Sequence, residues 1–158
     1  MARAHTRFMA ALAWLAAAWA IDAAAQSVTA TLPVGAAPVA VAIDVAAHRA
    51  VVANSASGTV TLLDAGNHAV ATLAVGDGPV AVALNPSTGR AFVANRLAGT
   101  VSVIDVAGAA VVGTVTVGSQ PSAIAVNHAT NRVFVANAGG NSVSVIDGAT
   151  LAVETLAV

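Results

Sequence analysis

An all-β fold is predicted for this chain: a β-propeller of three four-stranded antiparallel blades in an incomplete ring, with an extra N-terminal strand. Three observations carry that expectation. A frame of landmark residues recurs three times, each period holds four short strand patterns punctuated by turn signals, and the apolar content is mostly Val and Ala. Such a composition suits sheets covered on both faces.

The frame begins at Gly35, Gly76 and Gly118, which are spaced 41 and 42 residues apart. Pro38, Pro79 and Pro121 follow three residues later, and Arg49, Arg90 and Arg132 eleven after each Pro. Asn54, Asn95 and Asn137 lie five beyond each Arg, and Asp64, Asp105 and Asp147 ten beyond each Asn. One residue inserted between Asp105 and Gly118 is the sole change of length. Self-similarity at such a period marks a repeat architecture.

The second unit shows the strands most clearly. Val80 to Leu84 alternates Val82 and Leu84 with Ala81 and Ala83. Asn85-Pro86-Ser87-Thr88-Gly89 follows as a turn in which Asn bonds backbone, Pro presets φ and Gly accepts positive φ. Ala91 to Ala94, Thr100 to Asp105 and Val111 to Val117 complete four antiparallel strands, the content of one blade. The alanines of each first strand leave room where inner strands crowd an axis. A β-helix is the competing repeat fold, but its coils need far fewer residues and lack the four-turn punctuation.

At 158 residues the chain is long enough for one core and too short for two ordinary domains. With 58% hydrophobic and 8% charged residues it cannot be disordered. Arg3, His5 and Arg7 precede the uncharged stretch Phe8 to Ile21, and Ala23-Ala24-Ala25 offers a cleavage site before Gln26. Residues 1–25 are therefore expected to be a signal peptide and the protein periplasmic or secreted. The alternative, an uncleaved anchor, has only 14 residues to work with, short of the roughly 18 a span requires. No later apolar run reaches that length, so no membrane span is expected after cleavage. Without Cys, neither lipid attachment nor disulfides are available. The mature chain would carry four Arg, no Lys and six acids, which argues against electrostatic binding of nucleic acid.

The segments Arg90-Ala91-Phe92-Val93-Ala94-Asn95 and Arg132-Val133-Phe134-Val135-Ala136-Asn137, each followed by Val-Ser-Val-Ile-Asp, resemble YVTN-repeat β-propellers, the YncE-like group. The first unit is similar but looser, with Arg49-Ala50-Val51-Val52-Ala53-Asn54 and then Val60-Thr61-Leu62-Leu63-Asp64. Phe or Val stands where the family has Tyr, and Ala replaces its Thr. The resemblance runs from Ser27 to Val158. It implies the propeller fold and suggests single-stranded nucleic-acid binding, for which the mature chain offers only Phe92 and Phe134 as stacking platforms, both patterned for the core. WD40 repeats are not a close match, because the mature chain has no Trp.

The expected divisions are 27–34 as the outer strand of a missing preceding blade, 35–75 as blade 1, 76–117 as blade 2 and 118–158 as blade 3. Thr31-Leu32-Pro33-Val34-Gly35 parallels Thr72-Leu73-Ala74-Val75-Gly76, which motivates the N-terminal strand. Three blades cannot encircle an axis. A fragment of a six- to eight-bladed propeller is the first expectation, a homodimer closing a six-bladed ring the second, and capture of another protein by the open faces the third.

No catalytic residue, metal site or cofactor is expected. His48, His68 and His128 fall at different places in the frame, near turns, and read as solvated. The repeated Asn and Asp are expected to cap turns through backbone N–H groups, and the repeated Arg to start strands with solvated heads, an anion-binding Arg ring being the sharper alternative. Ligand-binding candidates are the unit-specific polar residues of one rim, Asp77, Arg96, Gln120 and Asn141, where propeller loops carry function. Asp77 and Arg96 can equally form an exposed ion pair worth under about 1 kcal/mol. The expected function is a non-catalytic binding or interaction scaffold for a protein or small ligand. A sugar-lactonase-type enzyme and a single-stranded nucleic-acid binder are the alternatives.

Overall fold

The computed structural model describes residues 30–158, within which Leu32–Val158 forms one compact unit. The signal-peptide expectation for 1–25 lies outside the described residues.

Twelve strands make three antiparallel sheets. The first holds β1 (Pro38–Asp44), β2 (Arg49–Asn54), β3 (Thr59–Asp64) and β4 (Ala69–Ala74). The second holds β5 (Pro79–Asn85), β6 (Arg90–Asn95), β7 (Thr100–Asp105) and β8 (Ala110–Thr116). The third holds β9 (Pro121–Asn127), β10 (Arg132–Asn137), β11 (Ser142–Asp147) and β12 (Val153–Ala157). Each sheet is a simple meander whose strands pair in chain order. The repeated Pro opens each innermost strand, where its missing N–H costs the ladder least. The register slips immediately beside it, between Pro38 and Ala40, Pro79 and Ala81, and opposite Ala136 and Asn137.

The innermost strands gather. β5 packs against both β1 and β9, and also against β2, while the outer strands β4 and β8 barely meet. This is a fan: three blades filling part of a ring, narrow at the axis and open at the periphery. Alanines on β1, β5 and β9 allow the close approach.

Each blade has a leading face toward the preceding blade and a trailing face toward the next. Val51, Val60 and Leu62 on the trailing face of blade 1 are fully buried against Ala91, Val93 and Ile104 on the leading face of blade 2. Phe92, Val101 and Val103 on the trailing face of blade 2 are likewise buried against Val133, Val135 and Ile146 of blade 3. Alternation along β2, β6 and β10 therefore feeds two cores, one on each side. Each fully buried Val, Leu or Phe contributes about 1.5–3 kcal/mol relative to exposure.

Residues 30–34 pair with no strand and 27–29 lie outside the described residues, so the expected N-terminal strand is not among these twelve. Two expectations need correction. Phe134, patterned for the core, is 41% exposed, because among the described residues no blade covers that trailing face. The heads of Arg49 and Arg90 are half-buried and bonded to the next blade. Arg49 donates through Nη1 to the carbonyls of Val106 and Ala107, and Arg90 donates to Gly148 O at 2.7 Å. Each arginine thus ties its blade to the outer turn of the next.

Candidate functional site

Antiparallel meanders place alternate loops at opposite ends. The loops joining successive blades and those between each blade's second and third strands share one rim. Main-chain bonds knit them together: Arg96 N donates to Gly78 O at 2.8 Å, Ser55 N to Ala37 O at 2.8 Å, and Ala138 N to Gln120 O at 3.0 Å. The three acceptors occupy the same position of the frame and all have positive φ, 52° at Ala37, 62° at Gly78 and 50° at Gln120. Only Gly adopts that region without steric cost.

Behind the rim, each repeated Asn is buried. Asn95 Nδ2 donates to Thr100 Oγ1 at 3.0 Å and Ser102 Oγ at 2.9 Å, and Asn54 and Asn137 make the equivalent pairs of bonds. Their Oδ1 atoms have no hydrogen-bond partner. The expectation that these side chains cap turns is therefore corrected: they reach across the sheet to the hydroxyls of the next strand. The landmark Gly presses on them from the interblade loop, where a Cβ at Gly76 would lie 2.7 Å from Asn95 Nδ2. The Gly and the Asn of the frame are one packing device.

The repeated Asp residues cap turns on the other rim. Asp105 Oδ1 accepts from Ala107 N and Gly108 N, both at 3.1 Å, and Asp147 Oδ1 from Ala149 N and Thr150 N, both at 2.9 Å. Asp64 accepts from Gly66 N and His68 N and lies 3.4 Å from His68 Nδ1. The N–H of His68 above all holds the Asp64 carboxyl below its ordinary value, and the N–H groups of Thr150 and Ala149 do the same for Asp147. Asn85 bonds Ser87 N at 3.1 Å and Gly89 has a φ of 64°, as the turn chemistry predicts.

The four rim candidates do not all converge. Arg96 and Gln120 line one cavity of about 280 Å³ together with Ser55, Gly78, Val80 and Leu97. Its walls therefore come from all three blades. Asp77 lines an adjoining hollow of about 300 Å³ with Ser55, Gly78 and Leu97. No ion pair joins Asp77 and Arg96 among the described residues. Asn141 lines neither hollow. Its φ of 45° explains its place in the sequence, since Gly58 and Gly99 hold the equivalent positions at 60° and 65°, and Asn is among the few other residues that tolerate that region.

Two lining residues escaped the sequence reading. Leu97 is 79% exposed at the mouth of both hollows, and Ser55 also borders both. A signal existed for each. Leu97 stands where the other units have Ala56 and Gly139, and Ser55 and Ala138 are the counterparts of Arg96. Among the described residues no three His, Cys, Asp or Glu side chains converge in a metal-binding group.

No protein-family model matches the chain, and no curated protein does. Solved structures do. Hydrazine synthase of Kuenenia stuttgartiensis aligns with a TM-score of 0.74 at 22% identity over 82% of this chain and 38% of that one. A functionally unknown protein from Desulfotomaculum acetoxidans gives 0.67 at 19% identity, covering 80% and 43%. U3-55K gives 0.71 at 11% identity, covering 80% and 40%. The fold is a β-propeller. The chain spans about two-fifths of each of these chains, and identities this low speak to shape alone.

Proposed function

We propose that this is an exported, non-catalytic propeller of the YVTN-repeat, YncE-like kind, whose rim binds an extended segment of a partner protein through Arg96, Leu97, Gln120 and Ser55. The observation that carries the reading is the convergence of those side chains on one hollow of about 280 Å³. Small-molecule pockets usually hold about 300–1,000 Å³ and are mostly apolar. This one lies at the small end of that range and is lined by polar as well as apolar groups. Arg96 supplies a cation with five donors, Gln120 and Ser55 supply neutral partners, and Leu97 offers an exposed apolar surface. An acidic residue set next to an apolar one complements that arrangement, and Arg is among the residues enriched in binding hot spots.

The Arg-X-Phe-Val-Ala-Asn…Val-Ser-Val-Ile-Asp segments support the family reading, and the Arg3 to Gln26 pattern supports export. N-terminal sequencing of protein recovered outside the cytoplasm checks the latter, with Gln26 as the expected first residue. The binding reading is tested by fluorescence anisotropy with peptides that place Asp or Glu beside Leu or Phe. Arg96→Ala and Leu97→Ala are each expected to weaken binding about tenfold or more, and Asn141→Ala to leave it unchanged. Failure of every such peptide to bind, or binding indifferent to Arg96→Ala, overturns the reading.

A further inference from the structure

The two ends of the arc are complementary to each other. On the leading face of blade 1, Val41 is 63% and Ile43 68% exposed, whereas Leu84, the counterpart of Ile43 in blade 2, is 7% exposed under the preceding blade. On the trailing face of blade 3, Phe134 is 41% and Leu156 48% exposed, whereas Phe92, the counterpart of Phe134, is fully buried. The apolar chemistry of both interior contacts is thus repeated at the ends, with one half of it on each.

The polar tie is divided in the same way. Inside the arc each arginine donates to the carbonyl one residue after the next blade's Asp, Arg49 to Val106 and Arg90 to Gly148. Arg132 is the unused donor of that series, exposed on blade 3, and Ala65, one residue after Asp64, is the matching acceptor on blade 1. A hollow lies at each place. One of about 190 Å³ is lined by Arg132, Val145, Asp147 and Glu154, and one of about 260 Å³ by Ile43, Asp44, Arg49 and Ala65.

We infer that two copies of this chain join head to tail, with the trailing face of blade 3 in each copy against the leading face of blade 1 in the other, closing a six-bladed ring in which Arg132 donates to the partner subunit's Ala65 carbonyl. A second copy is the occupant these faces specify, because one chain carries both halves of the contact that already joins its own blades. Such a pair is two-fold symmetric: each copy gives the same two faces, so the contact occurs twice and leaves no open end. Exposed apolar faces of this kind otherwise mark aggregation sites.

The test is the mass of the purified full chain in solution, by light scattering on a sizing column and by native mass spectrometry. Twice the chain mass is expected. Ile43→Asp and Phe134→Asp should each give folded monomers, because both side chains are exposed in the single chain, and circular dichroism checks the folding. An equimolar mixture of the two variants should form a mixed pair through its one intact contact. Arg132→Ala should weaken pairing by about 100-fold or more, because the pair loses a hydrogen bond from a charged donor at each of its two contacts. A monomeric wild-type chain, an assembly of three or more copies, or a pair that survives Ile43→Asp overturns the inference. The last result would indicate a blade 3 to blade 3 contact instead.

Discussion

Phe92 and Phe134 occupy the same position of the same motif, two residues after the repeated arginine, with identical Val-Ala-Asn following them. One is fully buried and the other 41% exposed. Their sheets pair in the same register, Phe92 opposite Val103 and Phe134 opposite Val145. Nothing local distinguishes them. Blade 2 is enclosed on both sides and blade 3 on one, and that alone decides which phenylalanine is core. In a repeat fold the burial of a residue belongs to the neighbouring unit as much as to its own, and stability is close to a sum of unit and interface contributions.

The contrast can be broken directly. Phe92→Ala should lower the unfolding free energy by about 3–5 kcal/mol, the cost of emptying a packed aromatic site, and Phe134→Ala by under about 1 kcal/mol in dilute chain. Denaturant melts of the two variants check this, and equal losses would contradict the packing of blade 2 against blade 3. A smaller difference is expected between the arginines. Arg90→Ala removes a charge-assisted bond to Gly148 O and should cost about 1–2 kcal/mol, whereas Arg132→Ala in dilute chain should stay within about 0.5 kcal/mol of wild type.

The smallest effect belongs to the outer turns of the two flanking blades. Asp64 and Asp147 have carboxyls lowered from 3.8 by backbone N–H groups present only in the fold. Their contribution to stability is therefore complete above that unfolded value and is lost as pH falls through the lowered folded values. Asn substitution keeps an acceptor and removes the titration. The double variant Asp64→Asn, Asp147→Asn should show a flatter fall in melting temperature below pH 3.8 than the wild type. Parallel curves would mean that these turns form without the charge.

Much of the fold was legible because it is written in local chemistry. The period-two pattern of Val82 and Leu84, the Asn85 to Gly89 turn and the spacing of the Gly-Pro-Arg-Asn-Asp frame act within a few residues, and the strands follow them. What acts across units was hidden. Arg49 and Arg90 look like ordinary strand-opening residues until the next blade's turn is in place, and Phe134 cannot be told from Phe92 by its own segment. Asn95 looks like a turn residue because it ends a strand. Only the close approach of Gly76 shows that its side chain points inward to Thr100 and Ser102. Comparison between units picked out Asp77, Arg96 and Gln120, which the rim hollows border, and also Asn141, which differs from its counterparts for backbone reasons. The same comparison held Leu97, but a search confined to polar residues passed over it.

The arginine ties end on main-chain oxygens, those of Val106 and Gly148, one a branched apolar residue and the other without a side chain. A link of this sort makes no demand on the identity of the residue that receives it. The landmark Gly and Asn, for their part, meet within one period. Gene duplication can therefore insert, delete or exchange whole periods without matching mutations in the adjoining ones, and outer-turn sequences are free to drift while the joints hold.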